Sequence, residues 1–201
     1  MSDVICTNPD LQSPLNRASK DRFILVLNLP PALRKLALTD NCFDIDLLQI
    51  SVYGTVIPQI TVPAVEVRYG GQSTNFTSYS RPNYPPLTVN FVVDNEFRNY
   101  YILWKWLALM NDPRLSKYDG NSSKLQKNRD LQFELGMLNE YQTNLSILTL
   151  NELNKTTTEF TYYNAFITNL GGINYSYRDG ELIETTAEFQ YGQLDVSRPK
   201  N

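Results

Sequence analysis

Apolar residues that return with a period of two, in short runs set off by proline and glycine, constrain this chain more than any other feature. In residues 181–195 (ELIETTAEFQYGQLD), Ile183, Ala187, Phe189 and Tyr191 fall on or near one face, and Glu184, Thr186, Glu188 and Gln190 line the other. This alternation is the pattern of a strand with one buried and one solvated side. Residues 42–51 (CFDIDLLQIS) open the same way, with Phe43, Ile45 and Leu47 set against Asp44 and Asp46. Residues 87–93 (LTVNFVV), 145–150 (LSILTL) and 158–168 (TEFTYYNAFIT) read as further strands. The nearly continuous apolar run 22–29 (RFILVLNL) predicts a strand buried on both faces. Residues 32–38 suit a short helix.

Only one segment carries a strong helical period. Asp94 is placed to cap it, since its carboxylate accepts from free amides and suits the positive end of a helix. Phe97, Tyr101, Trp104 and Ala108 then follow at spacings of four, three and four, with Tyr100, Leu103 and Leu107 widening the stripe, and Asn111 and Pro113 end the run. The expectation is a helix over 95–110 that packs this aromatic stripe on a sheet, with Trp106 partly exposed. The fold class that follows is mainly β: an antiparallel two-sheet β-sandwich or barrel of six to eight strands, with one flanking α-helix and a long extended loop.

That loop is residues 53–86. It is punctuated by five prolines and three glycines yet rich in Val, Ile, Tyr and Phe. Solvated linkers are poor in such residues, and long loops in compact domains are usually functional. An apolar arm of this kind is best covered by a partner. The candidate residues for contact with copies of the chain or with a neighbour are Tyr53, Val56, Ile57, Pro58, Ile60, Pro63, Val65, Tyr69, Gly70, Gly71 and Phe76, together with Trp106 on the helix. Around a single domain over 21–196, residues 1–20 read as an N-terminal arm, 112–130 as a polar insertion and 197–201 as a tail.

Composition removes most chemistry. The 201 residues include no histidine, which excludes Ser-His-Asp and Cys-His catalysis and His-containing zinc sites. Two cysteines, Cys6 and Cys42, cannot make a four-thiolate site or a CxxC pair. Net charge −3 argues against tracking along nucleic-acid phosphates. The basic residues of 117–129 are interleaved with one aromatic, Tyr118, and read as an exposed loop. No apolar run approaches the ~20 residues of a membrane helix. The first residues lack the pattern of a secretory signal, so synthesis in a reducing cytoplasm with free thiols is expected. On that basis the five Asn-X-Ser/Thr triplets, at Asn75, Asn121, Asn144, Asn154 and Asn174, are read as chance in a chain with many Asn. Gly70-Gly71 is followed by neither a Gly-Lys-Ser/Thr sequence nor a helix, so it reads as a tight turn and not a phosphate loop.

The acidic pairs Asp44/Asp46 and Glu184/Glu188 each share a strand face in this reading. As catalytic carboxylates they need a cleft and a raised pKa. The plainer reading is a solvated, anion-repelling surface.

In the order of its elements the chain resembles the tail tube proteins of contractile-tailed bacteriophages, the T-even-type tube protein family, which is related to the type VI secretion tube protein. The resemblance is carried by RFILVLNL and the strand after it, by VIPQITVPAVEVRYGGQ, by LTVNFVVDNEFRNYYILWKWL, and by NAFITNLGGINYSYRDGELIETTAEFQYGQLDV, over about residues 22–196. It implies a structural virion protein without catalytic residues, metal or cofactor. Homo-hexameric rings would stack into a tube inside a sheath, with baseplate and tape-measure proteins as partners and no membrane. Double-stranded DNA would pass through the lumen into the host without specific binding. The protein would be made and assembled in the host cytoplasm. Asp44, Asp46, Glu184 and Glu188 then become candidate lumen-lining residues. The 1–20 arm and 112–130 insertion leave open a tube-like baseplate or tail-terminator component. A carboxylate-based carbohydrate-active or lectin-like β-sandwich is the reading from another class.

Overall fold

The computed structural model of the chain describes residues 17–37, 45–80, 83–110, 138–178 and 180–198. Most of the N-terminal arm, Asp44, the 112–130 insertion and the last three residues lie outside the described residues.

The chain is mainly β, with antiparallel sheets, one large and one small. Strand β1 (Phe23–Leu27) leads through Pro31, which opens helix α1 (Pro31–Ala37) where its missing N–H is harmless, to helix α2 (Ile45–Ser51). Strands β2 (Val52–Val56), β3 (Ala64–Tyr69), β4 (Gln72–Thr77) and β5 (Leu87–Val92) follow. Helix α3 (Arg98–Met110) and the one-turn α4 (Leu138–Tyr141) precede β6 (Thr143–Leu150), β7 (Thr156–Leu170), β8 (Glu184–Gln190) and β9 (Gln193–Ser197).

Seven strands form one sheet, six of them on the hydrogen-bonded path β1-β6-β7-β8-β5-β2 and the seventh, β9, paired to β7; β3 and β4 form a separate two-stranded sheet. The 15-residue strand β7 divides the path into two halves. Its first part pairs with β6 and β9, and its second part, from Phe166, pairs with β8. The switch lies at Asn164, whose φ of 55° marks a left-handed residue that Asn tolerates. The register with β6 slips there, between Leu145↔Tyr162 and Thr143↔Ala165. Buried positions change parity across it, from Tyr162 to Ala165 and Ile167. A bulge of this kind turns a strand from one sheet into the next. Both halves face one core: Leu25, Leu27, Leu145, Ile147 and Tyr162 from the first, Leu87, Val89, Phe91, Ile167 and Phe189 from the second.

Several expectations are corrected. Residues 45–51 are helical: Leu48 is buried while Ile50 is exposed, although a strand would place both on one face. The Gln49 amide donates to Leu27 O (3.1 Å), which ties α2 to β1. Short apolar runs fit either period, and tertiary packing decides. β1 is buried on one side, since Ile24 is 46 % exposed between neighbours that are not. The described residues hold four helices: α1 falls where the short helix over 32–38 is expected, α3 where the aromatic one is, and α2 and the one-turn α4 come in addition. The 181–195 pattern is two strands broken at Tyr191–Gly192, where Gly192 N donates to Tyr163 O (3.0 Å).

Helix α3 starts later than expected because Asp94 to Phe97 is a turn of its own. Phe97 N donates to Asp94 O (2.9 Å), and Phe97 takes a left-handed φ of 59°. Buried Asn99 joins that turn to the helix: its Oδ1 accepts from Asp94 N and Tyr100 N, and its Nδ2 donates to Val92 O (2.8 Å). The 53–86 segment is also more regular than an extended arm. β2 belongs to the main sheet, and β3 and β4 make a hairpin around Gly70-Gly71. Positive φ at both glycines (60° and 79°) is what a two-residue type I′ turn requires.

Candidate functional site

The half made of β7, β8, β5 and β2 has its apolar side on the core and its other side in solvent. On that outer side β8 places Glu184, Thr186, Glu188 and Gln190, alternating with buried Thr185, Ala187 and Phe189. Thr88 lies opposite Glu188, Asn90 opposite Thr186 and Val92 opposite Glu184. β2 extends the rows with Val56 opposite Thr88 and Gly54 opposite Asn90, and β7 brings Asn169 opposite Glu188. None of the four strands contains Lys or Arg. The result is a flat polar face whose formal charges are carboxylates.

Glu184 and Glu188 therefore share a face, as alternation predicts. Four residues of strand separate them by about 13 Å at ~3.3 Å per residue. Paired-carboxylate glycoside hydrolysis needs roughly 5–9.5 Å, so this pair does not suit it. Asp46 belongs to helix α2, and the register that grouped it with Asp44 on a strand is absent because 45–51 is a helix. Asp44 is outside the described residues.

A contact that alternation does not reveal joins edge strand β2 to β8: the Tyr53 hydroxyl donates to Glu184 Oε2 (2.8 Å). The β2–β5 register slips between Val52 and Gly54, which places Tyr53 on a bulge and frees its side chain from the strand's alternation. The Glu184 carboxylate, by accepting that bond, raises the Tyr53 pKa above its ordinary value.

Among the described residues both lateral margins of this half are open: β2 pairs only with β5, and the Phe166–Leu170 part of β7 has β8 on one side and no described strand on the other. Free edges expose unpaired N–H and C=O groups, which proteins normally cover.

The expected contact residues divide into two groups. Tyr53, Val56, Ile57, Ile60, Val65, Tyr69 and Phe76 are exposed, as are Pro63, Gly70 and Gly71. Pro58 is buried within the chain. Trp106 is a correction: it is 0 % exposed, its ring tilts on Phe189 (5.7 Å between centroids), and its indole N–H donates to Tyr141 O (3.0 Å). Such a residue has no surface to offer another subunit. The exposed tryptophan is Trp104, stacked on Tyr101 (6.1 Å) with the Lys105 ammonium over both rings.

The family model for the phage tail tube protein matches residues 18–197. The fold is similar to a chain of the sheath–tube complex of an extracellular contractile injection system (PVC) in its extended state, with TM-score 0.54 and 13 % identity, covering 91 % of this chain and 93 % of that one. It is also similar to the tube-terminating cap of the anti-feeding prophage (TM-score 0.56, 14 % identity, 98 % and 100 % covered). A third such structure is the sheath/tube terminator of the PVC system (TM-score 0.55, 12 % identity, 92 % and 99 % covered). No curated protein matches the chain by sequence.

Proposed function

The chain belongs to the phage tail tube protein family, a family of structural proteins, and on that footing we propose that it forms hexameric rings stacked into the conduit for DNA ejection. The observation that carries this reading is that a polar, Lys- and Arg-free sheet face ends in two edges that no described strand covers. When β2 of one copy pairs with residues 166–170 of the next, the edges are satisfied and the faces join into a closed wall. Six four-stranded halves give a barrel of about 24 strands, beyond the ~16–18 that already leave an aqueous channel. A lining that carries Glu184 and Glu188 and no cation offers no ion pairs to phosphates, so double-stranded DNA slides past without adhering. In this reading the protein has no catalytic role, a contractile sheath surrounds the tube, and baseplate and tape-measure proteins meet it inside the virion after assembly in the host cytoplasm. A terminator or baseplate position is a second reading, since the same fold serves the tube-terminating cap of the anti-feeding prophage.

Electron microscopy of the purified protein tests the proposal. Rings or hollow tubes are expected. A monomer that persists at every salt and protein concentration tried contradicts it.

A further inference from the structure

The half made of β1, β6, the first part of β7 and β9 also ends in two margins that no described strand covers. β1 pairs only with β6, and β9 only with β7. β1 reads FILVL, without a charge or a proline, and its register with β6 runs from Phe23↔Thr149 to Leu27↔Leu145 without a bulge. Charges, prolines and bulges are what keep an edge from pairing, so this bare apolar edge calls for a cover.

Alternate backbone groups of β1 point to that edge. Leu150 N donates to Arg22 O (3.0 Å), so by alternation Ile24 and Val26 bond β6, while Phe23, Leu25 and Leu27 turn their N–H and C=O groups outward. Leu27 O accepts from the Gln49 amide of α2, and no described residue takes the outward groups of Phe23 and Leu25.

Helix α2 decides which margins share a side. It runs straight into β2 at Val52, packs on β1, β2 and β5, and caps Leu27 O, so the margins at β1 and β2 lie on one side. The strand orders β1-β6-β7-β9 and β2-β5-β8-β7 then put β9 and residues 166–170 together on the other. All neighbours in both orders are antiparallel, so β1 opposes β9 in direction, as β2 opposes residues 166–170. A ring that brings β2 to residues 166–170 of the next copy therefore brings β1 to the β9 of that copy, again antiparallel.

We infer that β1 of one copy pairs with β9 of the next, a second strand joint beside the one between β2 and residues 166–170. The inference deepens the tube reading and rests on it. Both strands are five residues long and free of bulges. Antiparallel pairing sets Asp21, just before β1, beside Arg198, just after β9, and both are exposed. Val196 shares the core side of β9 with buried Leu194 yet is 49 % exposed, and β1 brings Phe23 and Leu25 to that side.

Cysteine pairs test this in the full-length chain carrying Cys6→Ser and Cys42→Ser. Asp195→Cys is combined with Ile24→Cys in one variant and with Val26→Cys in another, since all three positions face away from the core. Within one chain β6 and β7 hold β1 and β9 about 14 Å apart, three strand spacings of ~4.8 Å, which is beyond the reach of a disulfide. On oxidation of assembled rings at least one pair should give a ladder of covalent oligomers up to the whole ring, and each single substitution none. Reduced rings seen by electron microscopy report that the variants fold. Rings in which neither pair cross-links overturn the inference and leave the tube reading standing. If the cysteine variants form no rings, hydrogen exchange of the unmodified protein decides. Peptides covering 23–27 and 193–197 should exchange more slowly in rings than in monomers, and unchanged exchange in β1 overturns the inference. Wild-type protein that forms neither rings nor tubes contradicts the tube reading, and this inference with it.

Discussion

Tyr53 donates its hydroxyl proton to Glu184 Oε2 at 2.8 Å, reaching from the edge strand β2 past β5 to the first residue of β8. The bond ties a sheet margin that no described strand covers to the acidic outer face. One side chain thereby links the two properties on which the tube reading depends, a free edge and a lining without cations.

If that face lines the channel, reversing its charge converts a passive wall into a brake. Glu184→Lys with Glu188→Lys should leave ring assembly intact and make assembled tubes retain double-stranded DNA, with retention falling as salt rises. Cosedimentation of DNA with tubes reads this directly. Variant tubes that release DNA as freely as the wild type would place both residues outside the lumen.

Trp106 anchors α3 to the sheet, and its indole N–H satisfies the carbonyl of Tyr141. Trp106→Phe leaves that acceptor unpaired and should cost about 1–3 kcal/mol in denaturant unfolding. Trp106→Ala adds a cavity and should cost about 3–5 kcal/mol. Trp104→Ala, on the exposed side of the same helix, should stay below about 1 kcal/mol. Equal effects at 104 and 106 would refute this assignment of the helix faces.

Burial pushes the phenols of Tyr162 and Tyr191 up, that of Tyr191 to about 12, and the neighbouring tyrosines add to the shift. A folded pKa above the unfolded one means that the folded state holds protons which the unfolded chain releases. The contribution is therefore complete below pH about 10, the ordinary tyrosine value, and is lost as pH climbs through the folded values. Stability measured against pH should be flat with respect to these groups up to about pH 10 and fall above it. The Tyr162 hydroxyl has no hydrogen-bond partner among the described residues. Tyr162→Phe should thus change neutral-pH stability by less than about 1 kcal/mol and reduce the alkaline loss. An alkaline slope unchanged by this substitution would count against the assignment.

Gly171 allows a close approach. A Cβ there would lie 2.8 Å from Thr185 Oγ1 and Thr186 Oγ1 and 3.0 Å from Thr186 N, so part of the obstruction is backbone. Gly171→Ala should destabilise the chain by about 1–3 kcal/mol, whereas Gly172→Ala, which meets nothing within 4 Å, should be nearly neutral. Thermal unfolding of the two variants checks the contrast.

The strands were legible wherever one face is buried and the other wet. β8 is the clearest case, and its outer residues fall where alternation puts them. α3 was legible as a helix but not in its rotation. Of the expected stripe, Leu103 is buried and Phe97, Tyr100 and Leu107 pack on the core, whereas Tyr101 and Trp104 stand beside the buried set Asn99, Ile102, Leu103 and Trp106. Outside, those two rings stack on each other and against Lys105, so aromatic content placed only part of the core side. The 42–51 alternation is too short to exclude a helix, and only Leu48 and Gln49, which pack on other elements, reveal one. In the long apolar arm, Gly70-Gly71 between alternating residues was a hairpin signal, overshadowed by five prolines. The two sheet edges have no local signature, because an edge depends on which strands do not pair.

The most direct test of the central claim is a cryo-EM map of the assembled protein at a resolution that separates strands. The account predicts rings in which β2 of one copy lies about 4.8 Å from residues 166–170 of its neighbour, with Glu184 and Glu188 facing the channel. A ring closed through other surfaces, with that polar face turned to the outside of the tube, would contradict it.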